Sequence, residues 1–450
     1  MSPNESFTVS STLDILNEEK ATYTKIDTDQ ITISANHLTD RKPSASEILY
    51  HRLIVEAPLI PVKELPTVDN NNGDTTDSKG SQLSNSSLIL PDWVNPELVN
   101  EGKKFVRRNF FAIIFAHLVA LAFLLCVKPI QALLLRTGAI HDRETSLKKY
   151  LLTILRVKRW YESDLLDQSS KAAKDIFSVR KVQRNAAKNF HVYVPPPTYQ
   201  LKLNDDEDKL LTALREDLKS VEADPKNKPK IYTTVNPDVP LSQYDLAIIQ
   251  FAFFGFVALF PKVFGIHETR KKHAKGMEGF VHIWALLGSL LGLEDSYNLC
   301  IPYHYCEQTN EKIFQEVFLF SFCMCDNKAV RLWKAMTAGS SRYFFFFRTK
   351  SLLCFMEKNV ARVASSKNLH TLMNWWEKFC YFAYVFTLRW VIRCSLTRLL
   401  LNFSSRLVFS WSNWVLIKYA KKDARYDSFI DLRVKNDDVY VIPDGLKVYS

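Results

Sequence analysis

Leu241–Cys300 reads LSQYDLAIIQFAFFGFVALFPKVFGIHETRKKHAKGMEGFVHIWALLGSLLGLEDSYNLC, and it decides the fold class. Its first half is an apolar run, Leu246 to Phe260, interrupted only by Gln250 and Gly255. A charged link, His267 to Lys275, leads into a second segment from Glu278. There Phe280, Trp284, Leu287 and Leu291 recur at i, i+4, i+7 and i+11, one apolar stripe of an α-helix. Ala285, Gly288 and Gly292 make a second stripe of small residues. Glycine costs a helix about 1 kcal/mol against alanine, so the stripe predicts a close approach to the backbone. The approaching group is another helix, a flat cofactor or a lipid chain.

Working outward, the same 3.6-residue pattern recurs along the chain, and strand-like alternation is scarce. The prediction is an all-α protein with three regions: an acidic, disordered N-terminal arm (1–90), a multi-helix core (91–350) and basic amphipathic helices (351–450). The arm carries seven Lys/Arg against thirteen Asp/Glu, while the whole chain is +11, so the remainder holds +17. Residues 68–87 are nearly all Asp, Asn, Gly, Ser and Thr, too polar to offset chain entropy by burial. Within the arm only Ile48 to Pro61 is apolar enough to dock.

Phe110 to Val127 has no formal charge and is flanked by Lys103, Lys104, Arg107, Arg108 and Lys128. As a helix it would be about 27 Å long, which suits either a short membrane span or a buried core helix. Leu147, Leu151, Ile154 and Leu155 predict a further helix face. Residues 192–240 read as an insertion: after Pro195-Pro196-Pro197, Asn204 and Asp205 can cap a surface helix with Leu210, Leu211, Leu214, Leu218 and Val221 as its stripe. From 378 to 422 there are eight Lys/Arg, no Asp or Glu, and Trp390, Trp411 and Trp414. That composition fits helices lying in a membrane interface, or basic helices packed on the core. Arg342 to Arg348, a run of aromatics between two cations, is a candidate anchor of the same kind.

Several function classes are absent by motif. There is no nucleophile elbow, phosphate loop, dinucleotide fingerprint, zinc-protease motif or nucleic-acid module, so the basic charge points to a membrane surface and not to nucleic acid. No signal peptide is expected from Met1-Ser2-Pro3-Asn4-Glu5. The eight cysteines sit mostly in apolar context, as reduced buried thiols would. Cys300, His304, Cys306, Cys323 and Cys325 lack a Cys-x2–4-Cys pair, which argues against zinc. His117 and His282, on apolar helices, read as core histidines.

Gln243-Tyr244-Asp245, the Phe-rich run after it, and Glu278, His282-Ile283-Trp284, Gly288, Leu291-Gly292-Leu293-Glu294-Asp295 and Asn298-Leu299-Cys300 resemble a helical haem-oxygenase family. It includes the ER-bound oxygenase of the mycophenolic acid pathway and the latex clearing (rubber) oxygenase. The resemblance runs from about Pro91 to about Lys350. It implies haem b, O2 and an unsaturated lipid or isoprenoid substrate, with the protein on a membrane such as the cytosolic face of the endoplasmic reticulum. By that resemblance Lys149, Thr153 and Arg180 position haem propionates or bound oxygen, and Trp284 contacts the cofactor. The apolar pocket would be lined by Phe251, Phe253, Phe254, Phe256, Trp284 and Leu287. Two departures matter. The family's iron-ligating histidine, three residues after an arginine, is Gln183 here, and an amide is a poor iron ligand. Ala285 also stands where the family often has arginine. The alternative expectation is therefore a non-catalytic, membrane-associated protein that binds a hydrophobic small molecule or lipid.

Overall fold

Asn95 starts the first core helix: its side chain accepts from the backbone N–H groups of Glu97 and Leu98, and Pro96 occupies the first turn, where a missing N–H costs nothing. The backbone N–H of Asn95 in turn donates to Nε2 of His282, 2.9 Å away, so this core histidine seats the helix entrance. The computed structural model describes residues 45–62, 89–136, 143–188, 203–219, 221, 239, 241–267, 270–301, 307–340, 346–363 and 366–422. In chain order the helices are α1 Ala45–His51, α2 Pro96–Arg108, α3 Phe110–Leu124, α4 Lys128–Arg136, α5 Arg143–Glu162, α6 Lys171–Lys188, α7 Asp205–Leu218 and α8 Gln243–Leu259. They continue with α9 Arg270–Leu290, α10 Glu307–Ile313, α11 Phe320–Cys323, α12 Asn327–Ser340, α13 Thr349–Phe355, α14 Asn368–Leu372, α15 Trp375–Arg389 and α16 Ser395–Lys422. No strand occurs among the described residues, only an isolated bridge between Pro61 and Ser242, so the protein is all-α as expected.

The most intimate helix pair is α2 with α9. Gly102 and Gly279 face each other so closely that a Cβ built on Gly279 would stand 2.4 Å from the backbone nitrogen of Gly102. Around that crossing Phe105 packs on Phe280, ring centroids 5.7 Å apart. Helix α3 turns off α2 at 89° and packs on α8. It is buried from Phe110 to Leu124 with few exceptions, and the indole of Trp333 donates to the carbonyl of Ala122 at 2.8 Å. A helix that is apolar on every side suits such burial, and by length and composition the bent pair α2–α3 would also suit a broken membrane span. No single helix among the described residues is long and apolar enough to cross a membrane.

Three boundaries of the predicted organisation are corrected. Residues 45–59 are helical and the stretch to 62 is docked, with Leu49, Leu53 and Ala57 buried; Val62 N–H donates to the Leu241 carbonyl and Gln243 N–H to that of Ile60. The apolar patch of the arm thus belongs to the core, and its partner is the start of α8. Residues 1–44 and 63–88 lie outside the described residues. Helix α7, in the supposed insertion, has the predicted Asn204 capping box and buries Leu210, Leu211, Leu214 and Leu218. It is not a free surface helix: the buried Asp217 carboxylate accepts from the backbone N–H groups of Lys367, Asn368 and Leu369, which caps α14. A carboxylate at a helix N-terminus satisfies orphan donors and meets the positive end of the dipole. Last, a domain edge at 350 cuts through α13, whose Leu352, Leu353, Cys354 and Phe355 are buried, so the core extends past it.

Candidate functional site

Helix α8 is apolar around its whole circumference, and this splits its phenylalanines. Phe251 and Phe256 stack into a cluster with Phe123, Phe314 and Phe318, and Phe254 packs edge-on against Phe251. Leu246, Ile249, Gln250 and Phe253, at i, i+3, i+4 and i+7, present the other face. That face, with α5, α6 and α9, encloses a cavity of about 170 Å³. Val157, Trp160, Leu246, Phe253, Trp284 and Leu291 make it mainly apolar; Thr153, Arg156, Gln183 and Gln250 add the polar lining. Of the predicted lining, Phe253 and Trp284 are there. Phe251, Phe254, Phe256 and Leu287 are fully buried elsewhere in the core; Phe254 and Phe251, one and two residues from Phe253, leave the helix in other directions.

Trp284 is held from two sides. Its ring stacks on Phe253 at 4.5 Å and 10°, and its indole N–H donates to the Tyr161 hydroxyl at 3.0 Å. An indole only donates, so the Tyr161 oxygen accepts from Trp284, and the same hydroxyl is hydrogen-bonded to Nε2 of His117, 2.9 Å away. The other ring nitrogen of His117, Nδ1, finds no partner among the described residues. Burial drives the His117 pKa down to about 3 and that of Tyr161 well above the usual phenol value.

The small-residue stripe has its explanation in Gln250. A Cβ on Gly288 would lie 2.4 Å from Gln250 Nε2, so the glycine lets that amide reach the α9 backbone. The amide donates to the Trp284 carbonyl and to Asn298 Oδ1, both at 2.8 Å. Asn298 in turn donates to the Ala285 carbonyl at 2.9 Å. Neither a whole helix nor a cofactor makes the close approach; a side chain does. Gly292, at φ 99°, ends α9 in the left-handed conformation, and Leu293 N–H returns to the Gly288 carbonyl. Gln243 bridges the Gly292 carbonyl and the Glu294 N–H, while Asp295 accepts from Trp93 and Ser289. Much of the residue set that carries the oxygenase resemblance is thus one hydrogen-bonded clamp joining the start of α8 to the end of α9.

The structure brings Thr153, Gln183 and Trp284 onto one cavity. Arg180, on the same helix as Gln183, does not line it: its Nη1 donates to the Leu290 carbonyl at 3.3 Å, a cation at the C-terminal end of α9. Burial and then neighbouring Arg184 lower its pKa. Lys149 lies on α5, and its side chain is outside the described residues. The cavity as built does not fit haem. No histidine, cysteine, methionine or tyrosine lines it, and these supply protein ligands to haem iron. Its volume is below the roughly 300–1,000 Å³ of sites for drug-sized ligands, and the Trp284 face is already covered by Phe253. No zinc-like group of His, Cys, Asp and Glu is found among the described residues; His304 and Cys306 lie outside them.

No family model, curated protein or solved structure matches this chain. The oxygenase resemblance therefore stands on its quoted residues alone.

Several residues of the lining carry buried polar atoms without partners among the described residues. With its amide hydrogens committed twice, Gln250 is fixed in orientation, and its buried Oε1 has no partner among the described residues. The same is true of Gln183 Oε1, and of the donor Trp160 Nε1. Buried polar atoms without partners are few in folded proteins and each costs about 1–3 kcal/mol. Three of them on residues of one cavity lining is a concentration. Gln250 was visible in the sequence as the polar interruption of an apolar run; Trp160 and Arg156 carried no such signal.

Proposed function

We propose that the chain is a non-catalytic binding protein for a small, largely apolar molecule that carries a hydrogen-bond donor, of the class of a short isoprenoid or lipid-derived alcohol. The observation that carries this reading is the pair of unpartnered amide oxygens, Gln183 and Gln250, on the lining of an otherwise apolar, Trp- and Phe-walled cavity. An alcohol satisfies an amide oxygen while its hydrocarbon body replaces water against Val157, Leu246, Phe253 and Trp284. A site built to bond a hydroxyl rejects the analogue lacking it, because its own polar atoms are left unpaired.

Geraniol and geranyl methyl ether, which keeps the shape and loses the donor, test this by isothermal titration. Geraniol is expected to bind, and the ether to bind roughly tenfold more weakly. Gln183→Leu, close in volume, is expected to lower geraniol affinity and shrink that ratio, with the helical circular-dichroism signal unchanged. Equal affinity for the two ligands, or binding of neither, would remove the donor-recognising site. The oxygenase reading is separated by absorbance: a Soret band at one haem per purified chain would replace the proposal. Gln183→His supplies the imidazole that the resemblance asks for, and its failure to take up haem is the expected result for a cavity of this size.

A further inference from the structure

Exposed large hydrophobic side chains are concentrated in one part of the chain: of the sixteen among the described residues, eleven lie between Trp375 and Trp411. Their spacing is regular. On α15 and just past it, Trp375, Phe379, Phe382, Phe386 and Trp390 stand at i, i+4, i+7, i+11 and i+15. On α16, Leu396, Leu400, Phe403, Leu407 and Trp411 repeat the same steps, with Leu399 alongside. Each series is one helical face, and its members are between 46 % and 77 % exposed.

Both helices are held to the core by their other faces, so the apolar stripes are fixed outward. On α15, Cys380, Tyr384 and Leu388 are buried, the Ser351 hydroxyl donates to the Glu377 carbonyl, and the Tyr384 hydroxyl bonds to the Phe346 carbonyl. On α16, Asn402 is a latch: its amide N–H donates to the Arg108 carbonyl at 2.7 Å, and its oxygen accepts from Phe111 N–H at 2.9 Å. One asparagine thereby closes the end of α2 and the start of α3. Phe409 packs edge-on against Phe110.

We propose that this outward face docks in the interface of an anionic phospholipid bilayer, with α15 and α16 lying in its plane. Charge selects the occupant. From residue 378 to 422 the chain has eight Lys/Arg and no Asp or Glu. Arg389 and Arg393 are exposed at the turn where the two stripes meet, and the Arg393 guanidinium lies 5.3 Å from the Trp390 ring centroid. Aromatic and leucine side chains at the depth of the headgroups, with cations reaching the phosphates, are how such helices sit on anionic membranes. A second copy of the chain is disfavoured, because a two-fold interface would set this acid-free face against itself. Spanning is disfavoured too, since no single helix here passes as long and apolar enough and cations recur along α15 and α16. The surface is independent of the cavity and of its ligand.

Co-sedimentation of the full chain with vesicles tests the proposal. Binding to phosphatidylcholine vesicles containing phosphatidylserine is expected to exceed binding to phosphatidylcholine alone by at least tenfold, and to weaken with salt. Phe382→Asp with Phe403→Asp, both on the exposed stripes, should abolish sedimentation without changing the circular-dichroism spectrum. Arg389→Glu with Arg393→Glu should remove the preference for phosphatidylserine. Unchanged vesicle binding in the Phe382→Asp, Phe403→Asp variant would overturn the proposal, as would failure of the wild type to sediment. A dimer in analytical ultracentrifugation that this same variant dissociates would assign the face to a second copy instead.

Discussion

Gly279→Ala is expected to destabilise the protein by about 3 kcal/mol or more, although alanine is the better helix former by about 1 kcal/mol. The methyl group would stand 2.4 Å from the backbone nitrogen of Gly102 and 2.5 Å from the carbonyl oxygen of Leu98. Those are backbone atoms in the middle of α2, so no rotamer change can move them aside. Relief requires α2 and α9 to separate, which opens the contact between Phe105 and Phe280 and moves the His282 ring from the start of α2. Gly276→Ala, one turn earlier, is the control: its Cβ meets the Phe105 ring at 2.7 Å, a side chain that can shift, and the loss should be smaller. Urea unfolding of the three proteins measures the difference. A Gly279→Ala variant as stable as the wild type would show that the two helices do not pack at this distance.

The second large effect concerns pH. Glu357 is buried; the Ser366 hydroxyl donates to its Oε2 at 2.6 Å, and the Asp217 carboxylate lies beside it. Burial, reinforced by the Asp217 carboxylate and opposed by Ser366 and Lys358, raises its pKa from 4.5 to about 8. Between those values the folded chain keeps a proton that the unfolded chain has released. Stability from this group is therefore complete below about 4.5 and falls as pH rises toward about 8, with a slope of at most about 1.4 kcal/mol per pH unit. Asp245, raised by burial to about 6, acts in the same sense over a lower window. Buried neutral His117 acts in the opposite sense, losing stability as pH falls below its ordinary 6.5 toward about 3. Glu357→Gln isolates the first contribution: its stability should exceed that of the wild type at pH 8 by several kcal/mol, and the difference should shrink toward pH 5. A difference independent of pH would mean that Glu357 is ionised in the folded protein.

Helix identity was largely legible in the sequence, because it depends on neighbours three and four residues away. The apolar stripe Phe280, Trp284, Leu287, the Asn204 cap and the stripe of α7 are all where periodicity put them. For 378–422 only the basic, aromatic composition was legible, and the structure alone shows which of those side chains face outward. In the cavity, Thr153, Gln183 and Trp284 were placed together by resemblance, and the structure gathers them. Arg180 was misplaced because an arginine one turn from a cavity residue can equally reach a helix end, and here the Leu290 carbonyl takes it.

By itself, then, the sequence determined the all-α class, the cap and register of individual helices, and the absence of an imidazole at position 183. Tertiary structure alone decided which neighbours those helices meet. It turned Phe110–Leu124 into core, drew residues 45–62 onto α8, and sent Phe251 and Phe253 to opposite sides of one helix. It also showed that Gly288 makes room for Gln250, and that Gly102 and Gly279 make room for each other. The physical reason is that periodicity records how apolar a face is, while its partner depends on where distant helices cross. That crossing is set by backbone contacts between residues such as 102 and 279, which no local pattern connects.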